Sequence, residues 1–124
     1  TPIVLTVDEV AEIIEQIGSS YLAAYADTQV LSIRGESLTD WFDRLGEKVR
    51  LVRFTDGNYN GYRIWGKGVL PAEKLAEEIY RTGFNGLISF QIPGERYCEN
   101  PKDAQKQNHF RALSAWREVM DCQR

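Results

Sequence analysis

Residues Val49–Gly68 read VRLVRFTDGNYNGYRIWGKG, and their pattern decides the fold. Alternation predicts a strand with Val49, Leu51 and Arg53 on one face and Arg50, Val52 and Phe54 on the other. The strand stops at Thr55-Asp56-Gly57, a polar Asn/Gly/Tyr loop follows, and Pro71 lies where a helix would start. Strand, long loop and helix make one β/α module, and the loop beyond the strand's carboxyl end is where such modules build sites.

The same grammar extends both ways. Thr6–Ile17 predicts a first helix: Thr6 and Glu9 have capping-box spacing, Val10, Ile13, Ile14 and Ile17 form an apolar stripe, and Gly18 stops it. Tyr21–Ala26 predicts a buried strand ending at Asp27, followed by a loop through Gly35. A second helix from Ser37 carries Leu38, Trp41, Phe42 and Leu45 on one face and closes at Gly46. Downstream, Pro71–Thr82 is a helix turning Leu75, Ile79 and Tyr80 inward, and Gly86–Ile92 is a third strand. A last helix starts at Asn100-Pro101 and runs towards Met120, burying Phe110, Leu113, Trp116 and Val119. The order α-β-α-β-α-β-α with short connections predicts parallel strands in a single α/β domain over residues 1–124.

Composition narrows the function. A chain of 124 residues, 43% hydrophobic and 27% charged, supports one core and not two. A net charge of −3 without a Lys/Arg run gives no electrostatic support for nucleic acid or acidic membranes. No apolar run reaches the length of a membrane span and no charged leader precedes an apolar stretch; with two cysteines and no disulfide framework, a reduced cytoplasmic setting is the expected default. Cys98 and Cys122 lack metal spacing and are too few for a disulfide framework. His109, the only histidine, has no companion at ligand spacing, and Cys98 no accompanying base.

Three polar residues, Asp27, Arg53 and Gln91, end or nearly end the three parallel strands, so they converge on one face of the sheet. Arg53 follows Val49 and Leu51 on its face and needs a partner, for which topology nominates Asp27. A structural ion pair is the plain alternative to a site. Tyr59, Tyr62 and Trp65 give the central loop an aromatic character that suits sugar faces or simply packs, and Lys67 and Arg96 could meet a phosphate or carboxylate or equally be solvated charges.

At this point a resemblance enters. TPIVLTVDEVAEIIEQIG, YADT, RFTDGNYNGYRIWGKGVLP and GFNGLISFQIPGERYCENP together resemble the C-terminal half of xylose-isomerase-like TIM barrels, the sugar phosphate isomerase and epimerase group. The likeness is to the keto-sugar 3-epimerase and fructoselysine-epimerase branch, carried by Gly61, Trp65, Gly66 and Gly68 ahead of a Leu-Pro helix start. The resemblance implies a half TIM barrel and isomerisation or epimerisation of a keto-sugar or its phosphate. In that family a divalent metal (manganese, zinc or magnesium) sits among a Glu, an Asp, a His and a second Glu at successive strand ends.

Carried over position by position, Asp27 matches the family's Asp, while Arg53 stands at the His position and Gln91 at the final Glu. Val30 replaces a His that often follows the Asp. Tyr62 and Lys67 stand where His and Asp are expected, and the first Glu would fall on a strand ending before Thr1. Arginine cannot ligate a metal, and a glutamine amide has no charge to hold a hard cation or act as a base. The expectation is therefore a degenerate metal site and no bound metal or other cofactor. Asp27 is the catalytic candidate, and Arg53, Asp56, Tyr62, Trp65, Lys67, Gln91 and Arg96 are the substrate-binding candidates. A non-catalytic sugar-binding or assembly module is the alternative.

A closed barrel needs eight strands and about 250 residues. Three parallel strands leave two edges and an apolar face uncovered, Leu51 and Leu87 among it. Self-association into a homodimer or higher oligomer, or a separate N-terminal half-barrel, would cover them.

Overall fold

The computed structural model describes residues 5–122. In chain order the elements are α1 (Val7–Ile17), β1 (Ala24–Asp27), α2 (Thr28–Arg34), α3 (Leu38–Leu45) and β2 (Val49–Arg53). They continue with β3 (Asp56–Asn58), β4 (Gly61–Arg63), α4 (Ala72–Arg81), β5 (Leu87–Ser89) and α5 (Pro101–Cys122). Strands β1, β2 and β5 form one parallel sheet in that spatial order, and β3 and β4 pair as a separate antiparallel hairpin.

The first helix forms as its sequence dictates. Thr6 accepts from the Glu9 amide, Glu9 accepts in return from the Thr6 amide, and Gly18 closes the far end at φ 63°. Helix α3 buries Leu38, Trp41 and Leu45, with Phe42 half-buried. It packs between α1 and α4, and α4 leans on α5.

Several elements differ from the sequence reading. The segment after Asp27 is not a loop but helix α2, because Asp27 itself caps it: Oδ1 accepts from the Gln29 and Val30 amides at 3.0 and 3.1 Å, and Gly35 ends it at φ 72°. Tyr21–Ala23 lie outside β1, and Tyr21 is fully exposed. The central polar loop folds into the β3–β4 hairpin. Strand β5 is short and ends at Ser89, leaving Gln91 beyond it and exposed. In α4 the buried residues are Ala72, Ala76 and Ile79, while Tyr80 is exposed.

In α5 the inward stripe is Ala104, Asn108, Ala112, Ala115 and Val119, and Phe110 is 71% exposed. Small side chains let this helix approach closely; of the large residues expected inside, Val119 is buried, Leu113 and Trp116 are half-buried, and Phe110 faces outward.

A register shift falls where Ala24 pairs with Val49 and Tyr25 with Leu51, passing over Arg50. The shift breaks simple alternation, so Val49, Val52 and Phe54 are buried and Arg50 is exposed. Across the strands Ala26, Val52 and Ile88 align and join the core, with Phe54 just beyond, packed against Trp65, Phe90 and Trp116. The opposite row, Tyr25, Leu51 and Leu87, lies open: Tyr25 is 51% and Leu87 73% exposed. The helix α1 stripe is also only partly covered, with Ile17 61% exposed. No helix among the described residues is long and apolar enough to cross a membrane.

Candidate functional site

The polar row at the carboxyl end of the sheet is Asp27, Arg53 and Ser89, directly in register. It stands one row above Tyr25, Leu51 and Leu87 on the same open face. Asp27 is buried, with each carboxylate oxygen occupied. Oδ1 accepts from the Gln29 and Val30 amides and from Thr55 Oγ1 at 3.0 Å, and Oδ2 accepts from the Tyr62 hydroxyl at 2.8 Å.

Tyr62 reaches this position from β4 because the hairpin is pinned to α2. Gln29 Nε2 donates to the Asn58 carbonyl at 3.0 Å, and Thr28 Oγ1 exchanges hydrogen bonds with the Thr55 backbone. Burial, and then the bond to Asp27, hold the Tyr62 phenol well above its ordinary pKa. The phenol therefore stays protonated and remains the donor until strongly alkaline pH.

Arg53 does not pair with Asp27, as the sequence suggested. Its guanidinium lies 4.7 Å over the Tyr25 ring, because Asp27 turns its oxygens to the cap of α2 and to Tyr62. Asp27, Arg53, Tyr62 and Tyr25 meet at a cavity of about 490 Å³ whose remaining wall is largely apolar, from α1, β1, α2 and Trp41.

The other candidates lie elsewhere. Asp56 is 1% exposed and faces its own loop, accepting from the amides of Gly57, Gly66, Gly68 and Leu70. Trp65 is core: its indole donates to the Phe54 carbonyl at 3.0 Å, and its amide to buried Asn108 Oδ1 at 2.9 Å. Arg96 donates to the Asn60 carbonyl at 3.2 Å, while Tyr97 accepts from the Ile64 amide, so both fasten the 93–99 loop to the hairpin region. Lys67 is exposed on the loop, and His109 is exposed, edge-on to Phe90.

Sequence reasoning missed Tyr25, Thr55 and Ser89. Tyr25 shares the strand face of Asp27 by simple alternation, and Ser89 precedes Gln91 by one full pleat, so both carried a legible signal. Thr55 carried none, since its role depends on where α2 lies. Among the described residues no group of three or more His, Cys, Asp or Glu side chains could hold a metal ion.

No protein-family model matches the chain. It is 25% identical to fructoselysine 3-epimerase of Escherichia coli O157:H7 over 115 residues, which is 90% of this chain and 42% of that enzyme. The same enzyme of Shigella flexneri matches with equal identity and 41% of its length covered. The chain thus spans about two fifths of the curated relatives it matches. Among solved structures it is similar to L-ribulose 3-epimerase, with a TM-score of 0.70 at 13% identity, covering 94% of this chain and 43% of that one. It is also similar to D-psicose 3-epimerase from Clostridium cellulolyticum H10, solved with D-tagatose, with a TM-score of 0.62 at 17% identity and coverages of 97% and 44%. Parallel strands with this coverage make the fold half a barrel, and the family that the chain resembles in both sequence and fold is the xylose-isomerase-like TIM barrels, on their sugar 3-epimerase side.

Proposed function

We propose that this chain is a sugar isomerase/epimerase-type half-barrel that binds a keto-sugar or sugar phosphate at the carboxyl end of its sheet. The observation that carries the reading is the Asp27–Tyr62 pair beside Arg53, at the mouth of the cavity. In such a site Asp27 orients Tyr62, and the phenol oxygen accepts from a sugar hydroxyl.

The divalent metal implied by the resemblance does not fit these residues. Asp27 already accepts from four donors, and its in-register neighbours are an arginine and a serine. The metal site is degenerate in this reading, and no step is routed through it. The saturation of Asp27 favours a second reading, a sugar-binding or assembly module without catalysis.

Titration of the full chain with fructose should shift amide resonances around Asp27, Arg53 and Tyr62, and added manganese should leave the shifts unchanged. Asp27→Asn keeps an acceptor for the α2 cap and should fold, with sugar binding weakened about tenfold through loss of the charge that holds Tyr62. Absence of any shift at these residues refutes the sugar site. Epimerase turnover in the wild type that Asp27→Asn abolishes decides for the enzyme over the module.

The partner in this reading covers the open row of Tyr25, Leu51 and Leu87 and the edge of β1. Apolar burial contributes about 25 cal/mol per Å², which a small core loses if a sheet face stays wet. A second copy supplies this cover as a homodimer, and a separate half-barrel chain would do so equally. Light scattering on the pure protein should give at least twice the 14.2 kDa chain mass. A folded monomer at micromolar concentration rejects self-association and leaves the half-barrel partner.

A further inference from the structure

We propose that Arg53 is an oxyanion-binding residue: the ligand carries a phosphate or carboxylate group gripped by this guanidinium, with the Ser89 hydroxyl beside it. The inference deepens the sugar-site reading and rests on it.

Three half-buried arginines occur among the described residues, Arg34, Arg53 and Arg63. Arg34 pairs with Glu36 at 3.4 Å, and Arg63 donates to the Asn60 and Tyr62 carbonyls. Arg53 alone of the three has no hydrogen bond or ion pair from its guanidinium, only the face of Tyr25. Its nitrogens keep contact with solvent and a stacked ring takes none of their N–H groups, so the donors are free for a ligand. The carboxylate that could answer it, Asp27, is directly opposite in register yet is committed to four other donors.

The neighbours also set which part of the ligand goes where. The Tyr62 hydroxyl donates its hydrogen bond to Asp27, so towards a ligand it presents an acceptor and suits a hydroxyl, not an anion. Ser89, half-buried and in register on the other side of Arg53, lies outside the cavity lining and carries a hydroxyl that can donate to a group held by the guanidinium. An anionic group is thus directed to the Arg53–Ser89 side and a neutral sugar hydroxyl to the Tyr62 side. The Tyr25 ring, 4.7 Å from the guanidinium carbon, contacts the cation without taking its N–H donors, which leaves the planar fork able to make paired contacts with phosphate or carboxylate.

The test titrates the full chain with fructose, a fructose phosphate monoester and inorganic phosphate, following amide resonances at Arg53, Tyr62 and Ser89. The phosphate ester should bind about tenfold more tightly than fructose, and the advantage should shrink as salt rises. In Arg53→Gln the ester should lose its advantage and bind no more tightly than fructose binds to the same variant. Arg53→Lys, which keeps the charge but loses the fork, should retain part of the advantage, and it serves if Arg53→Gln does not fold. Equal binding of fructose and its ester by the wild type overturns the oxyanion role and leaves the sugar site standing. Binding of neither ligand overturns both. An ester advantage undiminished in Arg53→Gln, or inorganic phosphate shifting residues away from Arg53 and Ser89, also overturns the proposal.

Discussion

Asp56→Ala should cost about 3–5 kcal/mol of stability, a large part of what a domain of this size possesses. The carboxylate is buried, and four backbone amides converge on it: Gly57 at 2.7 Å and Leu70 at 3.1 Å on Oδ1, Gly66 and Gly68 at 3.0 Å on Oδ2. Alanine leaves those amides without a partner in a place water reaches poorly, and desolvated donors are costlier to abandon than a typical hydrogen bond is to gain. The amides span residues 57–70, so the whole hairpin-and-turn segment should loosen together. Asp56→Asn should recover part of the loss, because one oxygen still accepts while its amide nitrogen faces donors.

Gly68→Ala attacks the same knot from outside. A Cβ there would run into Asp56 Oδ1 and the Gly57 backbone, so this substitution at a half-buried loop glycine should also destabilise by more than about 1 kcal/mol. Urea denaturation midpoints measure all three variants. A loss below about 1 kcal/mol for Asp56→Ala would mean the amides find water, and would remove the carboxylate as organiser of the loop.

Phe54→Ala should be comparably severe, about 3–5 kcal/mol, and Phe54→Leu milder, below about 2. Phe54 has no exposed surface, and its ring centroid lies 4.4 Å from Trp65, 6.2 Å from Phe90 and 5.7 Å from Trp116. It joins the end of β2, the site-bearing loop, the chain after β5 and α5, so the cavity left by alanine cannot collapse without moving all four. Two of the contacts are tryptophans, so intrinsic fluorescence should shift to the red in the folded variant as well as in the unfolding curve. Near-wild-type stability with unchanged emission would contradict this picture of the core.

Much of the fold was legible because it rests on local chemistry. The Thr6–Glu9 capping box, the Leu38/Trp41/Leu45 face and the presence of strand β2, though not its simple alternation, involve residues within a few positions of one another. Asp27, Arg53 and Tyr62 were also marked in advance, since strand order alone brings the first two to one sheet end. The resemblance to the sugar 3-epimerases lay in the sequence too, in the spacing of Gly61, Trp65, Gly66 and Gly68.

What the sequence by itself determined, then, is the run of helices and parallel strands and the polar residues at the strand ends. Only the tertiary structure decided how those polar groups are employed. Asp56 and Asp27 are both acids following a strand or closing one, and nothing local separates them. One is enclosed by the amides of its own loop, while the other caps α2 and holds Tyr62 at the cavity. Likewise Arg53 had a carboxylate within topological reach and took an aromatic face instead, because the cap of α2 and the Thr55 and Tyr62 hydroxyls already occupied that carboxylate. Hydrogen-bond acceptors are finite, and which donor wins each of them is settled by the whole fold and by no single segment.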